Sequence, residues 1–428
     1  MQKRPSNLRI LIPLFTANTI SGFAQGITML AIPWYLIQQV NGKYLNAVMV
    51  ASVTLASLFW GLYAGTLIDK FNRKKIFMTL TAIDGAILCL IASIGFLTGV
   101  VPFPFIALIF TTTIFTYNVH YPNLYAFVQE LFTPEDYAKV NSAIEVQGQT
   151  TNFLGMMVGG ILIGGTPDYS WWPTWLDISP WALHEIFLMD GITYLLSFFL
   201  ISQIPYDPST REKIDSGSLL SRLTQGFQYL WKEKAILIFG IASHTVFFSL
   251  LVSIQAIMPI YVMDWLKESA VILSSFKGMY ALGAISAGFI GLAPWLNKDR
   301  SVQFIIFLEV CAATFYFIIA NMASVAVLFV CSYLLGICNA GVRILRITYL
   351  VSIVPNRVIG RVNSFFNVVN VSMRASFLAL LAIPFFAADG NGANIVVAIG
   401  LLGTIVGLSA LVLTYFRNKF PALKLQTK

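Results

Sequence analysis

The chain has 428 residues, 57% of them hydrophobic and only 11% charged, with a formal net charge of +8. Water-facing globular proteins carry roughly 25% charged residues, so a soluble enzyme, a nucleic-acid binder and a disordered scaffold all fit poorly. The apolar residues gather in runs of bilayer-crossing length, about 20 residues each, which points to an all-α integral membrane protein.

Twelve spans are predicted, at 10–38, 45–68, 75–99, 104–131, 140–165, 183–203, 235–263, 270–296, 302–321, 324–353, 362–387 and 393–416. Each is a helix, because lipid offers no partner to an unpaired backbone. Lys3, Arg4 and Arg9 lead straight into the first span with no small-residue cleavage site, so this span is expected to be retained. The first and fourth exceed bilayer thickness and are expected to tilt or protrude. The loop Thr166–Pro180 carries Trp171, Trp172 and Trp175. Such clusters mark the headgroup belt, with a substrate lid as the alternative.

The longest polar stretch, Pro205–Lys234, divides the chain into an N-terminal six-helix bundle (1–204), a linker (205–234) and a C-terminal six-helix bundle (235–428). Leu219, Leu220, Leu223, Phe227 and Leu230 recur there at helical spacing, which predicts an amphipathic helix lying on the inner leaflet. The halves also echo each other. Lys139-Val140-Asn141-Ser142 opens the fifth span and Arg361-Val362-Asn363-Ser364 the eleventh, the same place in each half.

Orientation follows from the Lys/Arg bias. With the N-terminus in the cytoplasm, 21 of the 27 Lys and Arg fall in cytoplasmic segments and two, Lys43 and Lys267, in outer ones. Both termini are therefore expected inside, and the net charge requires no nucleic acid. Cys89, Cys311, Cys331 and Cys338 all lie in apolar runs without metal-ligand spacing and are read as packing residues.

Between the second and third spans the chain reads Gly65-Thr66-Leu67-Ile68-Asp69-Lys70-Phe71-Asn72-Arg73-Lys74-Lys75. Gly65 lets a helix end pack closely, and Asp69 suits a helix N-terminus or the basic cluster. This loop resembles the signature loop of the major facilitator superfamily, with Asn72 where that family often has glycine. His120-Tyr121-Pro122-Asn123, Thr133-Pro134-Glu135, Asp190 at the start of the sixth span and Gly360-Arg361-Val362 resemble the macrolide-efflux and enterobactin-exporter branch. The resemblance implies two pseudo-symmetric bundles rocking about a central site. It makes Gly65, Asp69, Arg73 and Lys74 a conformational switch. Spans one, four, seven and ten would then line the cavity. The second half lacks the loop, keeping only Lys298, Asp299 and Arg300 as charges there. Proton-coupled members commonly carry an arginine where this chain has Thr113, so that coupling role does not carry over.

Ionisable residues inside spans are costly and mark function or pairing. Asp84, His120, Glu145, Glu185 and Asp190 lie in the first half, and His244, Lys277, Glu309, Arg343, Arg346 and Arg374 in the second. Glu185, His184 and Asp190 sit near the outer end of the sixth span, where water or loop contacts are expected to satisfy them. Helical spacing groups Asn18, Gly22, Gln25 and Met29 on span one; Thr113, Tyr117 and His120 on span four; His244, Phe248, Leu251 and Gln255 on span seven; and Asn339, Arg343 and Arg346 on span ten. Either a wet cavity or helix–helix contacts would explain such polar stripes.

Arg343 and Arg346, three apart, share a helical face and suit bidentate capture of a carboxylate. They are the candidate clamp for an anionic substrate, with Asn339, His120, Tyr117, Gln25, His244 and Gln255 lining the same site. A salt bridge to neighbouring helix ends is the alternative. Glu145 and Asp84 are the candidate coupling carboxylates. No HExxH, Walker or G-x-S-x-G motif supports an enzyme, and no spacing supports a metal site or other cofactor. The expected protein is a monomeric secondary transporter of a bacterial inner membrane. It would export an amphiphilic anionic small molecule such as a siderophore, with protons as coupling ion. A macrolide or multidrug pump and a lysophospholipid or metal transporter are the alternatives.

Overall fold

A computed structural model describes residues 7–131, 134–166, 177–205, 219–287, 301–387 and 393–420. Among them, eleven helices are long and apolar enough to cross a membrane. The fifth span, Pro134–Gly164, is a twelfth helix whose apolar run is shorter, at Thr150–Gly164. No strand occurs among the described residues. The fold is the all-α, twelve-helix membrane architecture expected from the apolar runs.

The first six spans are Asn7–Ile37, Gly42–Lys70, Arg73–Thr98, Phe103–Leu131, Pro134–Gly164 and Leu183–Ser202. The seventh is Lys234–Trp265. The last five are Ala270–Ala287, Ser301–Asn321, Val325–Ile353, Asn356–Leu381 and Ala393–Phe416. Local chemistry sets several ends. Asn72 caps span three, its Oδ1 accepting from the Lys75 N–H at 3.0 Å. Gly99, at φ 76°, closes it, donating to the Gly95 carbonyl at 2.8 Å. The Glu185 carboxylate accepts from the Ala182 N–H at 2.7 Å and so caps span six.

The chain divides into two compact units. The first takes Met1–Gln38, Ala56–Ser216 and Ser269–Ser274; the second takes Gln39–Leu55, Gly217–Glu268 and Ser275–Lys428. The cut crosses spans two and eight, so a helix by itself is not the unit of packing. In the first unit, spans one and five approach until a Cβ on Gly155 would meet the Phe23 carbonyl. Leu14, Phe77, Leu124, Phe127, Ile144 and Ile201 form a buried cluster there. In the second unit, Gly283 and Gly336 bring spans eight and ten together, each where a Cβ would strike the other helix's backbone.

The amphipathic linker helix is Leu219–Lys232. It packs on the start of span eleven, where Gly226 lies against the Arg361 backbone and the Phe227 and Phe365 rings are 5.6 Å apart. Leu230 is buried, while Trp231 stays 60% exposed.

Span seven departs from the continuous helix expected over 235–263. It breaks at His244 (φ −88°, ψ −9°) and makes π turns at Ser253–Ile257 and Tyr261–Trp265. Two residues account for much of this. Pro259 has no N–H for the Gln255 carbonyl and its ring clashes with a tight α turn, which a widened turn relieves. The His244 Nδ1 lies 2.6 Å from the Gly240 carbonyl and competes with the helix ladder.

Candidate functional site

The first unit holds a polar cluster between spans one, three, four and six. Asp190, fully buried, accepts from Thr28 Oγ1 at 2.6 Å. Asp84, 4% exposed, is hydrogen-bonded to Thr116 and acts electrostatically on Asp190. Tyr194 feels both carboxyls and accepts from Gln25 Nε2 at 3.1 Å. Beside this cluster, His120 Nε2 meets Asn18 Oδ1 at 2.7 Å, and the His120 and Tyr121 rings pack at 5.5 Å. Gly85 and Gly191 let spans three and six close up, a Cβ on Gly191 lying 2.7 Å from the Cys89 sulfur.

The second unit repeats the theme on spans seven, nine, ten and twelve. Ser409 donates to the buried Glu309 at 2.7 Å, and Thr245 meets Ser409 at 2.7 Å. Arg346, 6% exposed, donates Nη1 to the Ser243 carbonyl at 2.8 Å and interacts electrostatically with Glu309. That carbonyl is freed by the break at His244, so the guanidinium serves a helix end that has lost its ladder partner.

The predicted site residues separate accordingly. Arg343 is exposed while Arg346 points into its own bundle, so the two guanidiniums do not present one surface. Asn339 is buried and donates to Tyr280 Oη at 2.8 Å. His244 stacks on Phe366 at 5.5 Å, and Gln255 is half-buried in the first π turn. Gln25 joins the carboxyl cluster, and Tyr117 is 50% exposed beside Tyr121, rings 4.7 Å apart. Lys74 donates to the Ser202 and Ile204 carbonyls at 2.7 and 2.8 Å, closing the end of span six. The Arg73 carbonyl accepts from Asn123 at 3.0 Å. Gly65 and Asp69 fall in span two and Glu145 in span five, but their side chains are outside what the structure describes, and the Trp171–Trp175 stretch lies outside the described residues altogether.

Against known proteins, the model of the Major Facilitator Superfamily matches residues 14–378. The chain belongs to this superfamily. Transport across a membrane, rather than catalysis, is what its family and fold are built for. Among solved structures of the same architecture are a bacterial homologue of the iron transporter ferroportin, inward-facing (TM-score 0.72, 16% identity, 96% of this chain and 99% of that one), and the nucleoside transporter NupG (TM-score 0.69, 14% identity, 95% and 100%). Identities this low establish the shared fold alone. The multidrug efflux pump Tap of Mycobacterium tuberculosis is 34% identical over 84 residues, 19% of this chain. That stretch spans only 20% of the pump's own length.

Within this major facilitator fold the first unit also carries a cavity of about 470 Å³, lined by Trp34, Tyr35, Gln38, Trp181, His184 and Ser269 among others. Its aromatic lining was not singled out in the sequence, because Trp34 and Trp181 sit far apart along the chain and only folding brings them together. The Thr28–Asp190 and Glu309–Ser409 pairs were missed for the same reason. The one available signal was an acid within spans three, six and nine.

Proposed function

We propose that this transporter exports amphiphilic small molecules of drug-like character across a bacterial inner membrane, as a monomer with both termini cytoplasmic. The carrying observation is the chemistry of the exposed and half-buried faces. Asn18, Gln25, Tyr117, His120 and Tyr121 offer uncharged polar and aromatic groups in the first unit, while Arg346 is turned inward onto Ser243 and Glu309. Such a surface suits molecules with a broad apolar body and few obligatory charges. The limited similarity to a multidrug efflux pump agrees with this reading.

One observation favours the narrower anionic reading, with a siderophore as example. Arg343 is exposed and acts electrostatically on the Tyr280 hydroxyl, which Asn339 contacts. The test is reconstitution in liposomes, comparing saturable, counterflow-competent efflux of a lipophilic dye with that of a carboxylate siderophore. Efflux of the dye that survives Arg343→Ala supports drug-type export. Transport of the siderophore alone, lost in Arg343→Ala, would replace it with anion export.

A further inference from the structure

The second unit holds more positive charge within its spans than its acids balance. Lys277, Arg343, Arg346 and Arg374 lie away from the helix ends on spans eight, ten and eleven. The acids within its described spans are Asp264 and Glu309, and both are taken. Lys43 holds Asp264 at 2.6 Å, and Glu309 accepts from Ser409 at 2.7 Å. Arg346 has the Ser243 carbonyl. Lys277, Arg343 and Arg374 make no hydrogen bond or ion pair with a described residue, and Arg374 Nε is buried without a partner.

Lys277 is the most enclosed of the three. It is 6% exposed, whereas Arg343 is exposed and Arg374 half-buried. Lys277 stands seven residues past the start of span eight, about 10 Å along the axis. Lysines near helix ends relieve their charge by stretching to the interface, a route that this depth and burial close. Glu268, the nearest acid along the chain, is nine positions earlier and outside the span.

The groups beside it are donors. Tyr280 is one turn on and shares its face. The Tyr280 hydroxyl accepts from Asn339 Nδ2 at 2.8 Å and donates to no described residue, so its own proton is free. Backbone approach fixes this arrangement. Ser332 donates to the Phe276 carbonyl at 2.6 Å, and Gly336 lies against the Tyr280 carbonyl. Spans eight and ten are thus held together on both sides of Lys277 and Tyr280. Arg343 follows Asn339 by one turn of span ten. An ammonium, a phenolic O–H and a nearby guanidinium without an acid call for an anion.

We propose that Lys277 is the counter-ion for a single carboxylate on an amphiphile, with the Tyr280 hydroxyl donating to the same group. Both bonds would be charge-assisted, the strong kind. One buried full charge matches a monoanion, and a doubly charged phosphate would leave one charge unmatched. The role of this amphiphile as exported cargo rests on the transport reading above; the anion site does not. The broad apolar body of that reading is kept, and one acid group is added to it.

The test compares 1-pyrenebutyrate with 1-pyrenebutanamide, which share a body and differ in charge. Binding to the full chain in lipid nanodiscs is read by tryptophan-to-pyrene energy transfer, with empty nanodiscs subtracted. Wild type should favour the carboxylate by about tenfold or more. Lys277→Met should abolish that preference, Lys277→Arg should keep most of it, and Tyr280→Phe should reduce it by about threefold or more. Lys234→Gln, an exposed charge at the start of span seven, is the control and should keep it. Without ligand, Lys277→Met should melt above wild type, because an unbalanced buried charge is gone, and pyrenebutyrate should raise the melting temperature of wild type alone. Equal binding of the two probes, a preference that survives Lys277→Met, or a Lys277→Met variant that melts below wild type or fails to fold would overturn the site. In liposomes, wild type that exports a neutral lipophilic dye but shows no carboxylate preference removes the site and leaves the transport reading. Selective, Lys277-dependent binding without efflux of either probe supports the site and removes the transport reading.

Discussion

Lys43 and Asp264 offer a sharp test of how burial governs charge in this protein. Their Nζ and Oδ2 atoms lie 2.6 Å apart, with side chains 8% and 18% exposed. At an effective dielectric of 20, unit charges 4 Å apart attract by about 4 kcal/mol, so closer contact gives somewhat more. Burying the two ions costs several kcal/mol each, and the intact pair therefore contributes little net stability. Removing one partner is a different matter, because the survivor keeps its desolvation cost and loses its compensation. Lys43→Met and Asp264→Leu should each destabilise the second unit by about 3–5 kcal/mol. The double variant should return to within about 1 kcal/mol of wild type or exceed it. Equilibrium unfolding in mixed micelles, read by tryptophan fluorescence, gives the three values and their coupling energy. Single-variant losses below about 0.5 kcal/mol with no coupling would show a solvent-screened pair of the surface kind, and the burial argument would fail.

Packing and capping set the remaining expectations. Gly155→Ala places a methyl against the Phe23 carbonyl and should cost about 1–3 kcal/mol or more. Gly61→Ala has nothing within 4 Å and should be neutral or stabilise by up to about 1 kcal/mol, both read from melting curves. Asn72→Ala removes the cap of span three and should lose about 1 kcal/mol, whereas Asn72→Gly loses only a few tenths. Equal losses would show that the cap is not what Asn72 provides. Arg346→Met strands both Glu309 and the Ser243 carbonyl and should cost about 3–5 kcal/mol, with a substantial part recovered by adding Glu309→Gln. An unchanged unfolding midpoint in Arg346→Met would free this arginine for a substrate role.

The spans were legible because hydropathy is a local property, and bilayer thickness turns it into length. The same locality explains the departures. Lys43 reads from hydropathy as an orientation charge in a short polar loop, yet folding draws it into the start of span two and gives it Asp264 on span seven. Asp190 reads as an acid near a wet helix end, but Thr28 and Asp84 enclose it. Arg343 and Arg346 share a stripe by spacing, and a carbonyl released on span seven decides that only one of them turns inward. Asn72 is the converse case. Against the family pattern it is a departure from glycine, while its structural consequence is an ordinary cap that strengthens the same turn. In each instance residue type set what was needed, and a residue remote in sequence or a local turn determined how the need was met.

The irregular course of span seven bears on its stripe of polar residues. Successive residues of an α-helix advance by about 100° around the axis. Each π turn accommodates one extra residue, so the residues beyond it are offset by about that much. The π turn at Ser253–Ile257 therefore divides the span into two rotational registers, and a second π turn, Tyr261–Trp265, closes it. His244 and Leu251 lie in the first and Met258 in the second. A face assigned by counting from His244 therefore stops at Ser253. Expulsion of the first wide turn would swing the later side chains of the span around the axis together, so one residue of slack sets which groups the far end of the span presents.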